Sequence, residues 1–272
     1  MRRGNESWAR TVGHFLHEDG YPVRLAGGGP LSDCRCPYTQ FWNIPRDWVA
    51  WRPFLSWGTR YAWEQQSFAL ALEYHLKRNP AGVVHVADPV LAYRLSLRSK
   101  ALNFDLVYKD GLLLGPAYWR QFRWVQVLAP HYRDEAMVQG VPVDRCFVIP
   151  HMVDPARFHP VADKQMARKR VVGYDLPGNA IVVVAAGDFG LGSRKRLDWI
   201  VSELMKLDQY DQLHLILAGQ ASPDDVLRMR ALCAPLGDRV HLRPNTPSGD
   251  MATMYQAADM MAHASLREPF GI

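Results

Sequence analysis

Ile181-Val182-Val183-Val184-Ala185-Ala186-Gly187-Asp188-Phe189-Gly190-Leu191-Gly192-Ser193-Arg194-Lys195-Arg196 reads as a buried strand that runs straight into a glycine-rich loop and then a helix start. The near-continuous apolar run has the texture of a strand covered on both faces, as in a parallel sheet. Gly187, Gly190 and Gly192 let the backbone approach a ligand closely. A helix start offers free N–H groups, and the cations Arg194, Lys195 and Arg196 would oppose its dipole unless an anion sat between them. The arrangement suits phosphate, yet it matches neither the Walker spacing nor the dinucleotide fingerprint. A nicotinamide-dependent enzyme would also need an acid at the end of the next strand, and Leu217-Ala218-Gly219-Gln220 supplies none, which ranks that class last.

The same texture recurs outward from this stretch. Strands are expected over 22–26, 83–87, 124–129, 146–149, 181–187, 213–219 and 239–243. Between them, apolar residues fall on single helical faces: Trp8, Val12, Phe15 and Leu16; Leu197, Ile200, Val201 and Leu204; Met229, Leu232, Cys233 and Leu236; Met251, Met254, Tyr255 and Ala258. Ser222-Pro223-Asp224-Asp225 has the N-cap, the first-turn proline and the acids of a helix start. Strand alternating with helix predicts an α/β fold with parallel sheets and crossover helices. A short buried strand at 259–263 then leads into the Pro/Gly-punctuated loop Ser265-Leu266-Arg267-Glu268-Pro269-Phe270-Gly271-Ile272, at the strand end where open α/β sheets bind ligands. The proline-bracketed stretch Ile149-Pro150-His151-Met152-Val153-Asp154-Pro155, followed by a charged run, marks a domain boundary and predicts domains 1–160 and 161–272. Residues 30–60, with Trp42, Trp48, Trp51 and Trp57 among prolines and charges, read as an irregular insertion.

Composition narrows the function classes. Hydrophobic residues make up 48% of 272, enough for two packed domains, and no uninterrupted apolar run is long enough to span a bilayer. The cysteines Cys34, Cys36, Cys146 and Cys233 do not form a metal-ligand pattern, so no metal is expected. A cytoplasmic protein, free or held at a membrane surface, fits best. The formal charge of +5 arises entirely before residue 161, where 19 Lys and Arg face 14 Asp and Glu. Such a face suits phosphates or acidic head groups; nucleic acid is disfavoured because no nucleic-acid-binding motif accompanies the charge. His85, on an apolar strand, reads as a buried, hydrogen-bonded core histidine.

Taken together, these segments resemble the retaining glycosyltransferases of family 4, whose GT-B fold sets two Rossmann-like doubly wound domains face to face. The resemblance is carried by Gly4-Asn5-Glu6 before the first helix; Val83-Val84-His85-Val86-Ala87-Asp88; Gly140 through Asp154 with Phe158-His159-Pro160; Gly187 through Asp198; Leu217-Ala218-Gly219; and Tyr255-Gln256-Ala257-Ala258-Asp259 with 265–272. It implies transfer of a sugar from a nucleotide-diphosphate donor to a hydroxyl on a glycan, lipid or small-molecule acceptor, with retention and without metal or cofactor. Lys195, with Arg194 as competing candidate, would pair with the donor diphosphate, in a loop formed by Gly187, Gly190 and Gly192. Glu268 would hold donor-sugar hydroxyls, Phe270, Gly271 and Ile272 would offer backbone N–H groups, and Gly4 would lie near the phosphates from the other domain.

Three positions depart from the family pattern. Asp188 stands where an arginine is common, Lys109 where a histidine is often found, and His151 where asparagine is usual. The family's second glutamate would fall beyond Ile272, which predicts a fragment with an incomplete second domain, and a noncatalytic binder of nucleotide sugar or phosphate is the alternative reading.

Overall fold

Parallel strand pairing organises both halves of the chain. The computed structural model describes residues 4–31, 34–46, 55–207 and 211–266. The chain divides between Val153 and Asp154 into two units, inside the proline-bracketed stretch.

The first unit contains helix α1 (Gly4–Glu18), strands β1 (Leu25–Gly27) and β2 (Tyr38–Gln40), α2 (Trp57–Arg78), β3 (Val83–Val86), α3 (Pro89–Ser96), α4 (Ser99–Leu102), β4 (Asp105–Lys109), α5 (Pro116–Trp119), β5 (Trp124–Val127), α6 (Pro130–Val138) and β6 (Cys146–Val148). Strands β3, β4, β5 and β6 form one parallel sheet in that order, and β1 pairs with β2 in a separate parallel pair. Its core joins Val86, Leu106, Tyr108, Val125 and Val127 of the sheet to Ala69, Leu72 and Leu95 of α2 and α3.

In the second unit, α7 (Lys164–Val172) precedes β7 (Ile181–Ala186), α8 (Leu197–Met205), β8 (Leu213–Gly219), α9 (Pro223–Cys233), β9 (Val240–Pro244), α10 (Met251–Ala257) and β10 (Met260–Met261). The sheet order is β10-β7-β8-β9, all parallel. The two-residue period of a strand explains why β7 is apolar throughout and β8 nearly so, His214 being its one polar side chain. Val183, Ala185, Leu215 and Leu217 face Leu197, Val201 and Met229 on one side. On the other side Val182, Val184, Ile216 and Ala218 face Val171, Met254 and Ala257. Ser222 starts α9 with a full capping box against Asp225, as its sequence predicts.

Several expectations are corrected. Strand β4, absent from the sequence-derived strands, lies inside the first sheet; its run Asp105-Leu106-Val107-Tyr108-Lys109 is bounded by charge and alternates too weakly to stand out. The stretch 30–60 is not wholly irregular, since it holds β2 and the start of α2. The strand at 259–263 shortens to β10 and is not buried: it pairs with β7 alone, and Met260 and Met261 stand 52% and 49% exposed. His85 is exposed on β3, at one edge of its sheet, with its ring edge-on to Trp8 at 4.8 Å, and is not a core histidine.

One buried pair links β8 and β9. His214 Nδ1 lies 3.2 Å from His241 Nε2, with the ring planes nearly parallel at 10°. Burial, then the neighbouring His214, hold the His241 pKa down at about 4, and burial lowers that of His214. The unfolded chain therefore binds more protons than the fold between about pH 4 and 6.5, so stability is complete above 6.5 and falls as pH drops through that window. Urea unfolding followed from pH 7.5 to 4.5 should show a loss of about 2 kcal/mol, absent in a His214→Leu/His241→Leu protein. An equal acid slope in that variant would place the effect elsewhere.

Candidate functional site

The carboxyl ends of β7, β8 and β9 meet in one backbone cluster. Gly187 N–H donates to Ala218 O at 2.9 Å, and Phe189 N–H donates to Gln220 O at 2.9 Å, carrying the β7–β8 ladder past the strands. Phe189 is fully buried against the α8 and α9 core and anchors the loop. A Cβ on Gly219, at φ +144°, would lie 1.8 Å from Gly187 O; one on Gly187 would lie 2.6 Å from Lys195 Cβ. Only glycine fits either place, and the Lys195 stem lies directly on Gly187. Asn245, at φ +55°, closes the third strand end: its N–H donates to Gly219 O, and its side chain pairs with both N–H and C=O of Ala221.

Asp188 shapes the loop. Its carboxylate accepts from Gly190 N–H at 2.7 Å, while its carbonyl accepts from Ser193 Oγ at 3.1 Å. Gly192 turns the chain at φ +74°. The N–H groups of Leu191 and Gly192 at the tip make no hydrogen bond among the described residues. Asp188, where the resemblance implied an arginine, thus folds the turn.

The three cations differ in what they can do. Arg196 precedes α8 in a left-handed conformation, binds Asp198 through two hydrogen bonds of 3.0 and 2.6 Å, and stacks 3.6 Å over Trp199. Asp198 is held below the usual carboxylate range by Arg196, aided by the N–H groups of Asp198 and Trp199. The expected free helix start is therefore already occupied by a carboxylate, and Arg196 is spent on it. The helix begins at Leu197, not at Arg194. Arg194 has an exposed side chain with no hydrogen bond or ion pair among the described residues, and its carbonyl accepts from Leu266 N–H at 3.2 Å.

The fold thus brings Gly187, Gly190, Gly192, Arg194 and Lys195 into one loop and draws 262–266 alongside through Leu266 and the Ala262 to Val184 bond. Glu268, Phe270, Gly271 and Ile272 lie outside the described residues. Gly4 is already the first residue of α1, so no glycine loop precedes that helix within the described residues. Sequence reasoning missed Asn245, whose signal is an asparagine between two prolines just past a strand, where a left-handed turn is favoured. Among the described residues no group of three or more His, Cys, Asp or Glu could hold a metal ion, and no helix is long and apolar enough to cross a membrane.

Comparison with known proteins agrees with this geometry. The family profile of glycosyl transferases group 1 matches residues 174–272, a stretch that lies mostly in the second unit. The D-inositol 3-phosphate glycosyltransferase of Nocardia farcinica is 30% identical over 155 residues, covering 55% of this chain and 34% of that protein; the chain spans about a third of the length of that curated relative. Among solved structures, the sucrose-phosphate synthase of Thermosynechococcus elongatus superposes with a TM-score of 0.73 at 20% identity, over 99% of this chain and 72% of that one. A glycosyltransferase from Rickettsia africae gives 0.73 at 17% identity, over 100% and 72%. Anabaena HepE, solved in complex with UDP, gives 0.70 at 16% identity, over 99% and 73%. The fold is that of the GT-B glycosyltransferases.

The two glycine constraints differ in kind and should separate on substitution. Gly219→Ala drives a methyl into the Gly187 carbonyl and should cost at least about 3 kcal/mol. Gly192→Ala meets open space and only a left-handed φ, and should cost about 1 kcal/mol. Denaturant midpoints of the two proteins measure this, and equal losses would contradict the abutment.

Proposed function

We propose that this chain binds a nucleotide-diphosphate sugar through the loop of its second unit and serves transfer of the sugar to a hydroxyl acceptor with retention at the anomeric carbon. The observation that carries this reading is the loop itself. Abutting glycines at two strand ends, and the N–H groups of Leu191 and Gly192 and the Arg194 guanidinium, which make no hydrogen bond among the described residues, lie together inside the stretch that matches the family. HepE, of the same fold, was solved with UDP, which makes a uridine diphosphate sugar the first donor to test.

In this reading the anomeric carbon's bond to the diphosphate oxygen breaks and a bond to the acceptor oxygen forms on the same face, the acceptor proton passing to the departing phosphate. Negative charge grows on the diphosphate as it leaves. Lys195 and Arg194 answer that charge, and the tip N–H groups between them orient the phosphate oxygens. Glu268 holds hydroxyls of the donor sugar, Phe270, Gly271 and Ile272 supply further N–H groups, and Gly4 assists at the phosphates. Neither metal nor cofactor is invoked. The acceptor is a glycan, a lipid or a small molecule, and the basic first unit suits work on the cytoplasmic side against an acidic membrane surface.

Calorimetric titration with UDP tests the assignment. Lys195→Ala and Arg194→Ala should each weaken binding about tenfold or more, the loss of one charge-assisted contact. Arg196→Ala should lower stability and leave UDP affinity within about threefold, because that guanidinium is held by Asp198. Binding that survives both of the first two substitutions unchanged, or a product of inverted configuration by NMR, would refute the reading.

A further inference from the structure

Of the four cysteines, Cys146 and Cys233 are buried singly in separate cores, whereas Cys34 and Cys36 bring their thiols together. Their sulfur atoms lie 3.4 Å apart, on either side of Arg35, in the bend that leads into β2. The Cys34 thiol donates to Cys36 O at 3.2 Å, which leaves the Cys36 S–H as the donor to Cys34 Sγ. The two differ in access: Cys34 is partly exposed, while Cys36 is buried at 5%. Cys36 sits on α1, since a Cβ on Gly13 would meet its sulfur at 3.1 Å, and the Arg35 guanidinium lies 3.2 Å from His14 Nε2 of the same helix. On the β1 side, Leu25 N–H donates to Pro37 O at 2.8 Å and holds the residue that follows. The buried sulfur is thus fixed from two directions, with the accessible one against it.

We propose that Cys34 and Cys36 form a dithiol site that a small-molecule disulfide, such as glutathione disulfide, converts reversibly to an intramolecular disulfide. Cys34, the thiol that solvent reaches, loses its proton and attacks the small molecule; that S–S bond breaks, and the first glutathione leaves as a thiolate and takes up the proton. Cys36 then loses its own proton and attacks the Cys34 sulfur, and the second glutathione leaves and takes that proton. Two protein thiols are oxidised, and one glutathione disulfide is reduced to two thiols. Closure brings the sulfurs from 3.4 Å to about 2 Å, a shift that Cys34 can supply while Cys36 stays on Gly13. Burial, followed by the hydrogen bond and charge of Cys34, pushes the Cys36 thiol up to about 11, which makes Cys34 the entering group. Capping Cys34 removes the last two of those causes and readies Cys36 for the second step. A ring closed across a single residue is strained, which puts this bond among the readily reduced disulfides and not the structural ones.

The test equilibrates the whole chain with excess glutathione disulfide, quenches it with acid, and then unfolds and alkylates it. Free thiols should fall from four to two per chain. Peptide mapping should find Cys34 and Cys36 neither alkylated nor carrying glutathione, Cys146 and Cys233 alkylated, and no cross-linked chains on a non-reducing gel. Dithiothreitol should restore all four thiols. Cys36→Ser should stop after the first step with glutathione retained on Cys34, and Cys34→Ser should keep its three remaining thiols free. Four free thiols in the unsubstituted protein, a glutathione adduct that persists on its Cys34, or a disulfide joining two chains would each overturn the inference. Should either serine variant fail to fold, the thiol count and peptide map of the unsubstituted protein decide alone.

Discussion

Everything proposed for the second unit depends on two backbones touching at Gly187 and Gly219. Their contact leaves no space for a Cβ, and it lets β7 and β8 run parallel to their ends and release their loops at the same level. Because Phe189 extends the ladder by one more bond and plugs the core, the loop departs from a rigid base. Asn245 brings β9 to the same point. The glycine-rich turn thus departs from a base held by main-chain geometry, with the Asp188 carboxylate bracing its first residues.

Most of the positive charge has internal work. Arg168 binds Asp259, which also takes Lys164 and the N–H of Val182, fastening α7 to the strand edge. Arg243 reaches the last turn of α7 at Val171 O, Arg46 binds Glu64, and Arg196 is bound by Asp198. A net charge of +5 therefore says little about which cation is available. Among the described residues, what separates Arg194 from Arg196, with one residue between them, is that only Arg196 has an acid within reach.

The sequence conveyed the alternation of strand and helix well, because β7 and β8 bury both faces and carry a single polar side chain, His214, between them. It conveyed β4 poorly. Asp105 and Lys109 stand at the ends of that strand, and the burial of Lys109 comes from Trp8 and Gly111, residues far away or without a side chain. The glycine loop was legible as a loop because glycine has a local meaning. The fate of its cations was not: Arg196 and Asp198 pair only because Arg196 adopts a left-handed conformation, which composition does not announce. Asp188 looked like the loss of a cation and is the residue that folds the turn.

Strand β10 carries a consequence for handling the molecule. Among the described residues it pairs with β7 on one side only, and its two residues are half-exposed methionines. Peptide groups on the open side of such a strand can pair with any extended segment that arrives, a second molecule included. Its thioethers are also accessible to peroxide, and conversion of either to the sulfoxide would put a polar, bulkier group on that rim. Self-association or oxidation at this short strand would therefore alter the rim a few residues from the segment proposed for the donor sugar.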